Sequence, residues 1–253
     1  MNLAIITGAS SGLGREYTRL VAESYPQYDE ILLIARREER LRELADRWPA
    51  RRIHVLPLDL TGADSMQVIG DWLAQHDARV GLLINNAGMG VLGNVAEATP
   101  ASQGHMVDLN CRSLAMLTAL TLPRMQRGAV IVNVSSIASF APTPRLNTYS
   151  ATKAFVLSFT KGLREEIKPL GINALAVCPA PMDTEFLPVA GIVPGHSPAF
   201  DHLPRVKADQ VAERSLRAAH KGRCVYTDGV LYKLYRVLAK LLPHNLLMRF
   251  TAC

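Results

Sequence analysis

No run of about 18 uninterrupted apolar residues occurs in this 253-residue chain, so no membrane-spanning helix is expected. Cysteine is scarce. Cys111, Cys178, Cys224 and Cys253 stand far apart, with no CxxC pair and no metal-ligand spacing. A disulfide framework is therefore excluded, no metal site is expected, and the four read as reduced thiols. Met1-Asn2-Leu3-Ala4-Ile5-Ile6 runs straight into a strand pattern without a basic leader or cleavage site. The expected location is the cytoplasm. No linker, internal repeat or low-complexity block interrupts the chain, so one domain over residues 1–253 is expected. Acidic residues are missing from Val230 to Cys253, where Lys233, Arg236, Lys240 and Arg249 supply four of the six net positive charges. The remainder is nearly balanced, which argues against a nucleic-acid footprint.

What is present is ample material for a core, with 49% hydrophobic residues. Short apolar runs alternate with longer amphipathic ones. Strands are expected at Leu3–Thr7, Glu30–Ile34, Ile53–Leu58, Gly81–Asn85, Ala129–Ser135, Ile172–Cys178 and, weakly, Cys224–Thr227. Helices are expected at Gly12–Ser24, Glu38–Trp48, Ala63–Gln75, Ala101–Met125, Thr148–Lys168 and Ala208–His220. Several strands are apolar without alternation, as in strands buried on both faces. Strand–helix alternation of this kind predicts an α/β fold: a doubly wound, Rossmann-like parallel sheet of about seven strands with helices on both faces.

Two segments break the rhythm. Thr184–Lys207 holds Pro188, Pro194, Pro198 and Pro204 among Phe186, Leu187, Ile192, Phe200 and Leu203, and reads as a substrate lid. His196 and His202 within it read as passive. The 230–253 tail is basic and amphipathic, with Leu231, Leu234, Leu238, Leu241 and Leu242 at helical spacing up to Pro243. It can pack as a core or subunit-contact helix, cover the substrate cleft, or lie on an anionic membrane surface.

After the first strand comes Thr7-Gly8-Ala9-Ser10-Ser11-Gly12-Leu13-Gly14, a GxxxGxG between strand and helix. Glycines there permit a tight turn and let backbone approach a pyrophosphate at a helix N-terminus. The second strand runs into Ala35-Arg36-Arg37. A carboxylate at Ala35 would bind a ribose diol. Two guanidiniums suit a 2′-phosphate instead, so NADP(H) is expected over NAD(H). The bland reading is that both arginines merely open a charged helix.

Tyr149-Ser150-Ala151-Thr152-Lys153 places a phenol and an ammonium on one helix face. A free tyrosine titrates near pH ~10, and moving it to about 7 takes roughly 4 kcal/mol. A close cation supplies part of that. Alone, such a pair arises by chance in roughly one chain in five of this composition.

The companions decide. Asp59-Leu60 follows the third strand, Asn85-Asn86-Ala87-Gly88 ends the fourth, and Ser136 precedes Tyr149 by 13 residues. Over about residues 3–184, with the Gly-rich loop and Pro179–Thr184, the chain resembles the short-chain dehydrogenase/reductase family. The resemblance implies catalytic roles for Asn110, Ser136, Tyr149 and Lys153. It implies cofactor contacts at Gly8, Ser10, Ser11, Gly12, Leu13, Gly14, Arg36, Arg37, Asp59, Leu60, Asn86, Ala87, Gly88, Tyr149, Lys153, Pro179, Met182 and Thr184. Asp59 would meet the adenine amino group, or else cap the following helix. Asn85 and Asn86 would steady the sheet, or else serve as turn residues. Ser135 competes with Ser136, and spacing favours Ser136. His105 and Cys111 are assigned to structure, Lys161 and Lys168 to solvent. One departure is Pro179-Ala180 where the family has Pro-Gly, since alanine resists a positive φ.

By the same resemblance Tyr149 exchanges the proton, Ser136 supports the substrate oxygen, Lys153 lowers the Tyr149 pKa and holds the nicotinamide ribose, and Asn110 positions a relay water. The expected activity is NADP(H)-dependent interconversion of a ketone and a secondary alcohol. The apolar lid favours a hydrophobic, steroid- or lipid-like substrate. The rivals are a 3-oxoacyl thioester reductase and a non-catalytic NADP-binding sensor or scaffold. A homo-oligomer, dimer or tetramer, is the family expectation.

Overall fold

A computed structural model describes residues 1–193 and 203–251. Seven strands form one sheet: β1 (Asn2–Thr7), β2 (Glu30–Ala35), β3 (Arg52–Pro57), β4 (Arg79–Asn85), β5 (Met125–Val134), β6 (Asn173–Val177) and β7 (Val225–Tyr226). All pairings are parallel, in the order β3-β2-β1-β4-β5-β6-β7. The chain winds outward from β1 to β3, then crosses to β4 and winds the other way. The carboxyl ends of β1 and β4 therefore open a crevice at the switch point, where doubly wound sheets bind ligands.

The absence of alternation in the strands has its expected cause. Leu3 and Ile5 face one core with Leu32, Ile34, Leu83 and Ile131. Ala4 and Ile6 face the opposite core with Ile31, Leu33, Leu82 and Val132. The pleat sends successive side chains to opposite faces, and both faces are covered. α1 (Gly12–Ser24) and α8 (Ala208–His220) cover one face, tied by the 2.6 Å hydrogen bond between Tyr17 and Ser215. α3 (Ser65–Gln75), α5 (Ser113–Thr121) and α6 (Asn147–Ile167) cover the other. α2 (Glu38–Ala45) packs against β3 at the sheet's edge.

One expected element is corrected. Ala101–Met125 is not a single helix. α4 (Pro100–Val107) runs into a π-turn at Asp108–Arg112, α5 follows, and a 3₁₀ turn over Leu122–Arg124 ends it. Pro123 lacks the N–H that would continue the ladder, and Met125 already pairs with Val80 in the sheet. α7 (Phe186–Val189) is a single turn in the segment after β6, and α9 (Val230–Leu241) and α10 (His244–Thr251) form the tail. Pro194, Pro198, Phe200, His196 and His202 of the lid lie outside the described residues, as does Cys253. Among the described residues no helix is long and apolar enough to cross a membrane.

Candidate active site

The Gly-rich turn joins β1 to α1. Gly8 (φ +64) and Gly12 (φ +51) take left-handed backbone that favours glycine. Gly14 has ordinary backbone, but a β-carbon there would collide with the Gly8 carbonyl oxygen and lie 2.6 Å from Asn86 Nδ2. Gly14→Ala is therefore expected to cost about 1–3 kcal/mol by overpacking. The melting temperature should fall by several degrees. Thermal unfolding followed by circular dichroism measures this, and an unchanged midpoint would show that the turn can shift freely.

The turn is held from the neighbouring strand. Thr7 Oγ1 accepts from the backbone N–H groups of Asn86 and Ala87, both at 3.0 Å. Asn86 Nδ2 donates to the carbonyls of Thr7 and Gly8. Asn85 Nδ2 donates to Asn133 Oδ1 at 2.8 Å and to Thr118 Oγ1 at 3.0 Å. Asn133 Nδ2 in turn donates to Thr160 Oγ1 on α6. The Asn85 and Asn133 amides are buried and have no water to fall back on, so their part of the network is costly to break. It ties the Gly-rich turn to the helix that carries Tyr149.

At the end of β2, Arg36 is largely exposed, with Nη1 4.0 Å from Asp59 Oδ2. Arg37 donates from Nη2 to Ser10 Oγ at 3.0 Å and from Nη1 to Glu185 Oε2 at 3.0 Å. Arg40 Nη1 also reaches Glu185, at 2.7 Å. Hydrogen bonds from Arg40 and then Arg37 hold the Glu185 carboxyl below its ordinary range. Asp59 Oδ1 accepts from Thr61 Oγ1 and N, closing a local turn, whereas α3 starts only at Ser65 with Asp64 at its N-cap. Asp59 therefore does not cap that helix. Partial burial raises its pKa, but the two Thr61 donors, aided by Arg36, leave it lowered.

β5 delivers Ser135 and Ser136 to the same rim. Ser135 is buried and donates to the Lys153 carbonyl at 2.7 Å. Ser136 Oγ accepts from Ala138 N at 3.1 Å. Tyr149 and Lys153 share a buried face of α6. Burial pushes the Tyr149 phenol up to about 12, and a hydrogen bond with Ser136 works against that rise. Burial pulls the Lys153 ammonium down to about 8. Lys153 Nζ lies 5.7 Å from the centre of the Tyr149 ring and donates to the Val134 carbonyl at 2.9 Å. In this arrangement the ammonium is turned to backbone.

These groups surround one cavity of about 950 Å³. Gly8, Ser10, Ser11, Gly12 and Leu13 line it from the turn, and Arg36, Arg37, Asp59 and Leu60 from the ends of β2 and β3. Asn86, Ala87 and Gly88 line it beside Ser136, Tyr149 and Lys153, with Pro179, Met182 and Thr184 opposite. Two expected residues do not line it. Gly14 lies behind the turn as a packing contact. Asn110 is buried behind the wall, at the π-turn that interrupts its helix. Its Oδ1 accepts from Met89 N at 2.9 Å, and its Nδ2 donates to the Met89 carbonyl and Thr152 Oγ1. A β-carbon on Gly88 would stand 3.1 Å from Asn110 Oδ1 and 3.2 Å from Lys153 Nζ. Glycine there lets the strand-end loop pass between them. Ala180 causes no strain, since Asp77 and Arg145 are the non-glycine residues with positive φ among those described.

The sequence pattern of the short chain dehydrogenase family matches residues 2–190. The chain belongs to the short-chain dehydrogenase/reductase family. It is 36% identical over 221 residues to sulfoacetaldehyde reductase 2 of Chromohalobacter salexigens, covering 84% of this chain and 86% of that one. A short-chain dehydrogenase from Sphingobium yanoikuyae, solved with NADPH, superposes with a TM-score of 0.80 at 30% identity, covering 96% and 97% of the two chains. The bulky-bulky ketone specific alcohol dehydrogenase of Comamonas testosteroni gives 0.77 at 28% identity, covering 98% and 94%. The protein is an oxidoreductase acting on CH–OH groups with a nicotinamide cofactor.

The site fits that cofactor. The glycines clear a cradle that β-carbons would fill. Ser11 makes no side-chain cap, which leaves the first N–H groups of α1 turned to an anion. Thr184 packs on Gly12, where a β-carbon would lie 3.3 Å from Thr184 Cβ, so the segment after β6 meets the turn here.

Beyond Tyr149 this dehydrogenase builds its site from residues not singled out by motif. The Phe186 ring lies 5.7 Å from that of Tyr149, and Gly90 leaves room for both. Leu92 N donates to the Ala190 carbonyl at 2.8 Å, fastening the Phe186–Ala190 turn to the loop after β4. Leu231, Tyr235, Leu238 and Leu242 of the tail line the same cavity. Residues of the tail thus form part of the cavity wall. The pairing of Arg40 with Glu185 has no local sequence signal, since it joins residues 145 positions apart.

Proposed function

We propose that the protein is an NADP(H)-dependent reductase and dehydrogenase for a bulky apolar ketone and its secondary alcohol. The observation that carries this reading is the division of the cavity. Its charged wall residues, Arg36, Arg37, Asp59, His105, Lys153 and Glu185, gather at the Gly-rich turn, the ends of β2 and β3, and the base of Tyr149. The rest of the wall is largely apolar, with Met89, Leu146, Phe186, Leu203, Leu238 and Leu246 beside Thr143, Tyr232 and Tyr235. A sulfonate, as in the substrate named for the Chromohalobacter relative, would find no lysine or arginine among these apolar wall residues, and burying it against them is costly. A ketone with two large apolar arms would bury them favourably. The Comamonas relative, named for bulky ketones, supports the same direction.

The nicotinamide cofactor supplies or accepts the hydride when bound. Tyr149 is placed to give its phenolic proton to the substrate oxygen in reduction and to take it back in oxidation. Ser136 hydrogen-bonds the same oxygen as charge develops on it. Lys153, buried and fixed on Val134, puts a positive charge beneath the ring and is placed to reach a ribose. Asn110 keeps the Met89 backbone in position and thereby the wall beside the reacting atoms.

NADPH oxidation followed across bulky ketones, sulfoacetaldehyde and 3-oxoacyl thioesters tests the reading. The kcat/KM for the best bulky ketone should exceed that for sulfoacetaldehyde by at least roughly tenfold. A preference for sulfoacetaldehyde or a thioester would overturn the substrate class, and no turnover in any arm would favour a sensor.

A further inference from the structure

The tail helix α9 has more apolar surface than the cleft uses. At 3.6 residues per turn, Val230, Leu234, Val237 and Leu241 fall on one line along the helix. They are 83%, 54%, 52% and 73% exposed. The face that packs on the protein is a different one, carrying Tyr232 and Ala239, both buried. Between the two faces Leu231 and Leu238 line the mouth of the cavity while staying more than a third exposed. On the other side of the outward stripe stand Lys233 and Lys240, both exposed. A monomeric surface rarely leaves four large aliphatic residues in register without a partner.

We propose that α9 is a peripheral docking face for an anionic lipid surface. The occupant is chosen by charge. An apolar stripe bordered by lysines is the arrangement by which a helix lies in the headgroup region, apolar side in the acyl boundary and ammonium groups at the phosphates. No aspartate or glutamate occurs from Val230 to the chain end, so nothing on the tail opposes a negative surface. A second copy of the helix is the poorer occupant. Two such stripes paired antiparallel about a twofold axis would bring their lysines onto one side with no tail carboxylate to offset them. The docked orientation has a consequence for access. Leu231 and Leu238 connect the stripe to the cavity mouth, so a solute dissolved in the acyl layer meets the opening without crossing water. The docking itself rests on the exposed stripe and the charges, not on the substrate proposed above.

The test uses the full-length protein and co-sedimentation with vesicles of phosphatidylserine and phosphatidylcholine against phosphatidylcholine alone. The bound fraction should be at least about tenfold higher on the anionic vesicles and should fall with added salt. Leu234→Ser with Val237→Ser, and separately Lys233→Gln with Lys240→Gln, should each remove most of that binding. None of these four side chains lines the cavity, so turnover of a water-soluble ketone should stay at the parent value and report intact folding. Equal binding to both vesicle types, or variants that sediment like the parent, would overturn the proposal. So would a parent that ignores vesicles while Leu234→Ser with Val237→Ser converts a dimer into a monomer, which would assign the stripe to a second copy.

Discussion

Tyr149→Phe is expected to lower kcat by a factor of about 10²–10⁴ while NADPH binding persists. The substitution is narrow. Phenylalanine keeps the ring that packs beside Phe186 and over Lys153, and removes the hydroxyl alone. At neutral pH that hydroxyl is protonated, since burial holds it near 12. It is thus an acid ready to give its proton toward a forming alkoxide. Without it the alkoxide would form in a buried site with only Ser136 to support it, and a single hydrogen bond is worth about 1–3 kcal/mol there. Stopped-flow reduction of the best ketone, with NADPH binding measured by fluorescence, separates the two effects. Turnover surviving above a few per cent would sink the role given to Tyr149. A parallel fall in melting temperature and cofactor affinity would instead mark the hydroxyl as a packing group.

The residues that specify this site differ in how far they could be read from the chain. Turn and strand-end motifs are local. Gly8 and Gly12 must be glycine because of their own backbone, and Asn85 and Asn86 sit where β4 must stop, so adjacent sequence carries them. Ser136, Tyr149 and Lys153 are fixed by spacing and by one helix. Even so, spacing said only that Lys153 shares a face with Tyr149. It did not say that the ammonium would turn to the Val134 carbonyl, which depends on how close α6 lies to β5. The π-turn at Asn110 was invisible for a related reason. Asp108–Arg112 has ordinary helical composition, and the backbone that Asn110 holds there, at Met89, is 21 residues away in sequence. Arg40 and the tail are the extreme cases. Arg40 reads as one more charge on a solvated helix until the lid brings Glu185 to it. The leucines of α9 read as one amphipathic stripe until the fold divides them between the cavity mouth and the outside.

The same contrast between local motif and brought-together group governs cofactor choice, where Arg36→Asp is expected to weaken NADPH by about 10²-fold and leave NADH nearly unchanged. Ala35 leaves the end of β2 without the carboxylate that would hold a ribose diol. Arg36 stands there largely exposed, committed only to a 4.0 Å approach to Asp59. It can turn to a 2′-phosphate with little to give up. Arg37 and Arg40 already converge on one anion, the Glu185 carboxylate, so this rim of the cleft is shaped to hold negative charge beside Ser10. Exposed ion pairs of this kind are worth at most about 1 kcal/mol, so a phosphate with nearly two charges competes well for the same donors. Removing Arg36 deletes a charge-assisted hydrogen bond of roughly 1.5–3 kcal/mol. The aspartate adds a like charge against the phosphate, and together these correspond to about two decades in Kd. NADH, lacking the phosphate, loses neither contact and gains a carboxylate near its diol. Isothermal titration of both cofactors to parent and variant gives the comparison. Equal losses would show that Arg36 supports the adenosine pocket as a whole, and an unchanged NADPH affinity would move the phosphate site to Arg37 and Arg40.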